Sequence, residues 1–172
     1  MEVTEDVVAR IPPGNLRVPR AKFATIWATA ERLNREACEQ RVVAWYPAGV
    51  AVACRWLAGA VVEDQFGRRP AQSPVTNRSE NAYEELIEAE YLAAELLPIR
   101  RPGLARRQPG WSEGVLATLR WAWRREGPPP LALDADVASV VPVPRTGDQT
   151  PRPAAPAPGA AAVWRGYAVP RS

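Results

Sequence analysis

Glu90 is the residue best placed to do chemistry, because it sits where a carboxylate costs most. Counting from Tyr83, helical spacing gathers Leu86, Ile87, Tyr91, Ala94 and Leu97 on one stripe, and Glu90 falls at its centre. An unpaired carboxylate buried there is expensive, so a cationic or hydrogen-bonding partner is expected. Arg55, Arg120 and Asn34 are the candidates, each on a helix expected in the same bundle. Three roles are open to such a group: a structural ion pair, a ligand-facing carboxylate, or a general acid. The ion pair leads, because structural networks also bury carboxylates. An enzyme would have to be built from Glu90, Tyr83, Tyr91 and Arg55 or Arg120.

Little else speaks for catalysis. The chain has no His, which removes the commonest general base and metal ligand and the usual partner of a catalytic Ser or Cys. Its two cysteines, Cys38 and Cys54, cannot supply a zinc site of three or four thiolates. Both fall among apolar neighbours and read as buried, reduced thiols. No Gly-rich phosphate loop, metal-ligand cluster or nucleophile motif is present. No cofactor and no metal are expected, and the chain is not expected to be an enzyme.

A second constellation concerns packing. Gly49-Val50 precedes Arg55-Trp56, and Gly114-Val115 precedes Arg120-Trp121 at the same spacing, with Trp45 and Trp111 just before. Matching rare Trp with Gly and Arg points to an internal duplication. Gly49 and Ala53 lie one turn apart, as do Gly114 and Thr118. Small residues at that spacing let two helix backbones approach closely. Trp56 and Trp121 follow on the same side and are expected to bracket the crossing.

These residues need helices to position them. The first should run from about Pro19 to Glu39, carrying Phe23, Ile26, Trp27, Ala30, Leu33, Ala37 and Cys38 on one stripe with Asn34 near its middle. The second should start near Pro47 and end about Gly59. Residues 63–78 read as a surface loop. The third should run from Glu80 to Leu97, capped by Ser79 and stopped by Pro98, and the fourth from Trp111 to Arg125. Residues 98–110 read as a connection. The expected fold is all-α: an irregular arm over 1–19, a compact bundle of about four helices over 20–126, and a largely disordered Pro/Ala-rich tail over 127–172. Within that tail, Val137 to Val143 could form a short strand or dock. Residues 160–169, with Val163, Trp164 and Tyr167, resemble a docking peptide.

Charge bears on partners. The net charge is +3. The third helix holds six Glu and no basic residue, and Glu80, Glu84, Glu88 and Glu95 lie off its apolar stripe. Arg68, Arg69, Arg78, Arg100, Arg101, Arg106 and Arg107 in the flanking loops are the expected counter-charges. The arginines of 100–125, with Trp121 and Trp123, are also the mixture a phosphate-binding face uses. Lys22 is the sole Lys, which reads as GC-rich bacterial coding. The acidic start carries no signal-peptide pattern, so the expected location is cytoplasmic. Val42 to Val62 has the length of a membrane crossing, but it is Ala- and Val-rich with Arg55 inside, so no span is expected.

The leading expectation is therefore a non-enzymatic protein-interaction module, an adaptor or accessory subunit whose partner is another protein. The alternative is a small nucleic-acid-binding accessory protein using residues 100–125. An enzyme or ligand binder centred on Glu90 stands third. Salt-dependent binding to random duplex DNA separates the first two, since phosphate contacts give a steep salt slope.

Overall fold

The computed structural model describes residues 2–64 and 67–132, and these form a mainly helical bundle. Four longer helices make it: α2 (Arg20–Glu39), α3 (Trp45–Leu57), α4 (Glu84–Arg100) and α6 (Trp111–Leu119). α1 (Glu5–Ala9) and α5 (Pro102–Arg107) are short. Val137 to Val143, Val163, Trp164 and Tyr167 lie outside the described residues.

The helices begin and end for local reasons. α2 follows Pro19 and buries Phe23, Ile26, Trp27 and Ala30. It closes where Arg41 turns left-handed (φ 56°) and the Val42 N–H donates to the Ala37 carbonyl. α3 closes the same way at Gly59 (φ 61°), with the Ala60 N–H on the Arg55 carbonyl. This six-to-one bond satisfies a carbonyl that the helix end would leave orphaned. α6 starts after left-handed Gly110 and runs into a π-helical turn, Arg120–Arg124, that ends at left-handed Arg125.

Five expectations need correction. The fold is not purely helical: β1 (Val61–Asp64) and β2 (Gly67–Pro70) form an antiparallel hairpin that starts before the expected loop and runs into it, with Val62 opposite Arg69. Two β-branched residues and a glycine at φ 105° supply what a hairpin needs. Ser79 does not cap α4; its hydroxyl takes a hydrogen bond from Gln72, and α4 starts after Tyr83. Pro98 does not stop α4, which continues to Arg100, because a proline in a final turn forfeits one bond without blocking the turn already formed. Cys54 is buried, but Cys38 is exposed. The arm over 1–19 is not irregular throughout: it holds α1 and a 3₁₀ turn, Pro13–Asn15, and sends Ile11 and Asn15 into the core.

The core centres on α3. It packs most extensively on α6, then on α2, while α4 covers α6. Phe23, Trp27, Val50, Trp56, Leu57, Ile87, Val115 and Leu119 fill it. Among the described residues no helix is long and apolar enough to cross a membrane.

Candidate functional site

Glu90 is fully buried, but none of its expected partners reaches it. Its carboxylate is capped by the segment before α4. The Val75 and Thr76 N–H groups donate to Oε1, the latter at 3.1 Å, and the Thr76 hydroxyl donates to Oε2 at 2.7 Å. The turn that presents these donors is tied at Ser73, whose hydroxyl lies 2.8 Å from that of Thr76 and accepts the Arg78 N–H. The expected Glu–Arg pair is therefore replaced by backbone amides, which satisfy a buried carboxylate without burying a second charge. Glu90 works as a staple for residues 73–78.

The expected partners are engaged elsewhere. Arg120 donates to the Tyr91 hydroxyl at 3.4 Å, and Asn34 reaches the Pro47 carbonyl at 3.4 Å. Arg55 grips Glu31 on α2 with both ends of its guanidinium, Nε to Oε1 at 2.6 Å and Nη2 to Oε2 at 2.5 Å. The Trp27 indole N–H adds a third bond to Glu31 at 3.0 Å. Tyr83 is half exposed and stands outside the bundle. Of the residues singled out for an enzyme, Tyr91 and Arg120 meet, but neither they nor Arg55 or Tyr83 bond to Glu90.

Glu31 was missed in the sequence, although it lies one turn from Trp27 beside the apolar stripe of α2. Burial pushes its carboxyl up. The Arg55 hydrogen bonds and charge, with the Trp27 bond, outweigh this and hold it below the ordinary carboxylate range. A lowered folded value means that the pair contributes fully above the unfolded value of about 4.3 and is lost as pH falls through the lower folded one. Glu31→Gln should therefore be less stable than the parent at neutral pH, by about 2–4 kcal/mol, somewhat under a fully buried pair because Arg55 keeps 27 % exposure. The gap should close below about pH 4. Urea melts from pH 3 to pH 8 check it; a pH-independent gap would contradict the ion pair.

At the glycine crossing the backbones of α3 and α6 approach closely. A Cβ on Gly49 would overlap the Trp111 carbonyl oxygen and come 3.1 Å from the Val115 nitrogen. A Cβ on Gly114 would overlap the Tyr46 carbonyl oxygen and come 3.1 Å from the Val50 nitrogen. Each glycine faces the position equivalent to the one facing the other. Ala53 and Thr118 are fully buried, and Thr118 returns its hydroxyl to the Gly114 carbonyl at 2.8 Å. Trp56 and Trp121 are buried, with Trp121 stacked on Phe23 at 6.5 Å.

Part of the acidic face of α4 is neutralised from unexpected quarters. Glu84 pairs with Arg17 at 2.9 Å and Glu88 with Arg124, while the charge of Glu95 acts on Arg120. Arg17 and Arg124 also lie over the rings of Trp123 and Tyr91, at 4.0 and 4.1 Å. Of the loop arginines expected there, Arg100, Arg101, Arg106 and Arg107 make no ion pair among the described residues and stay exposed.

α4 carries a second apolar stripe. Beside the core-facing side, Ala89, Leu92, Ala93, Leu96 and Ile99 recur at helical spacing. Leu92 is 47 % and Ile99 77 % exposed, and Leu96 is half-buried. Single exposed leucines are ordinary. Three large apolar residues at i, i+4 and i+7 form an apolar surface on this side of the helix. Comparison with family models, curated proteins and solved structures finds no match.

Proposed function

We propose that the chain is a non-enzymatic protein-interaction module, and that it docks a partner helix on the outer face of α4. The second apolar stripe carries this reading: Leu92, Leu96 and Ile99 are the i, i+4, i+7 anchors that helix-in-groove recognition uses. The neutralisation of Glu84 and Glu88 by Arg17 and Arg124 fits an apolar rather than an electrostatic docking face. The staple at Glu90 supports it too, since both carboxylate oxygens serve the turn over 73–78.

The same proposal includes an internal duplication, supported by the reciprocal contacts of Gly49 and Gly114, and a cytoplasmic setting in a GC-rich bacterium. Residues 160–169 are its candidate for a second docking element, which would make the chain an adaptor. Nucleic-acid binding remains the second reading, favoured by Arg100, Arg101, Arg106 and Arg107 lacking acidic partners.

The test places a photo-crosslinking amino acid at Leu92 and, as a control, at exposed Lys22 in the full chain. Polypeptide adducts are expected from position 92 and not from position 22. A Leu92→Asp/Ile99→Asp variant should keep its stability within about 0.5 kcal/mol, as exposed sites allow, yet abolish crosslinking from a probe at Leu96. Equal adducts from both positions, or none from 92, would reject the docking face.

A further inference from the structure

The charges on α4 sort into those used within the chain and those left over. Glu84 and Glu88 have arginine partners, Glu90 is buried under its turn, and Glu95 lies in the field of Arg120. Glu85 in the first turn and Arg100 in the last remain. Both are exposed, neither has an ion pair among the described residues, and they flank the outer apolar stripe at opposite ends.

We propose that the occupant of this face is the α4 of a second copy of the chain, packed antiparallel about a two-fold axis between Leu92 and Ala93. This rests on the outer face of α4 being a docking surface. A two-fold interface brings one patch onto itself, so it must be self-complementary. In the antiparallel register Glu85 meets the second copy's Arg100 at both ends, Ala89 meets Leu96, and Leu92 meets Ala93. Acid faces base twice and small faces large four times, letting the helices approach closely at the centre, while Ile99, whose counterpart would be the buried Leu86, lies at the margin of the contact. A parallel pairing fails, because it sets Glu85 on Glu85 and Arg100 on Arg100. The face is short. At a rise of about 1.5 Å per residue the stripe from Glu85 to Arg100 spans roughly 23 Å. That puts the buried area at the low end, under about 1,200 Å², so the pair is a reversible one and not an obligate dimer.

Sedimentation equilibrium of the full chain over a wide concentration range tests this, and charge reversal supplies the decisive arms. The parent should show a monomer–dimer equilibrium. Glu85→Arg alone and Arg100→Glu alone each set like charges against each other at both ends, and should weaken self-association by roughly tenfold or more. Mixing the two single variants restores both contacts in a heterodimer, as does combining both changes in one chain. Recovery on mixing supports the antiparallel register. Dimers insensitive to either reversal would overturn it. A parent that stays monomeric throughout would overturn the second copy as occupant, and polypeptide adducts from position 92 in that monomer would leave the docking face standing with another protein on it.

Discussion

Gly49→Leu and Gly114→Leu should each destabilise the bundle by about 3 kcal/mol, at the upper end of ordinary overpacking. The atoms in the way are the Trp111 and Tyr46 carbonyl oxygens, which belong to the opposite backbone and cannot rotate aside. Only separation of α3 from α6 relieves the clash, and that loosens the side chains packed around it. Even alanine should be felt at both positions. Gly14→Ala is the control, since nothing lies within 4 Å of its Cβ, and should stay within about 0.5 kcal/mol. The double change should cost less than the two singles together, because both act by opening one crossing. Denaturant melts of the five proteins decide it. Parent-like stability in either glycine variant would contradict the close approach.

Glu90→Ala should cost about 2–4 kcal/mol, since an orphaned buried donor costs about 1–3 kcal/mol and two amides lose their acceptor together. The half-buried Val75 can recover part of this by letting water in. Glu90→Gln keeps one oxygen for the amides and should cost about half as much, losing the charge that strengthens those bonds. Glu88→Ala, in a half-exposed pair with Arg124, should cost under about 1 kcal/mol. Amide exchange localises the effect: in Glu90→Ala, Val75 and Thr76 should exchange through a local opening, while Trp27 and Val50 lose protection only in step with the global stability. Equal costs for Ala at positions 88 and 90 would refute the staple.

Sequence pattern recovered what depends on periodicity. The stripe from Phe23 to Ala30 placed α2 within a residue, and the apolar stripe of α4 located Glu90 in the interior. It could not supply the partner of Glu90, because two backbone N–H groups bring no residue type with them. Arginines looked like the answer because side-chain charges are what a sequence displays. Glu31 carried the same signal as Glu90, a carboxylate bordering an apolar stripe, with Trp27 one turn away. The outer stripe of α4 is also legible in the sequence, with Leu92, Leu96 and Ile99 at i, i+4 and i+7. Helix ends were the least visible. Ser79 has the chemistry of a cap, and tertiary contact with Gln72 claimed its hydroxyl first.

The crossing of α3 and α6 also fixes when the molecule can fold. A chain made from its N-terminus can settle α2 on α3 early, since the two are neighbours in sequence. The side of α3 that bears Gly49 and Val50 has no cover until Trp111–Leu119 exists, about a third of the chain later. Contacts of such long sequence separation raise the contact order and slow folding. Until then the nascent chain presents an apolar helix face to its surroundings, the surface on which premature association begins. Fragments that end before Trp111 should inherit that exposed face permanently, so the bundle is expected to fold as one unit rather than in two successive halves.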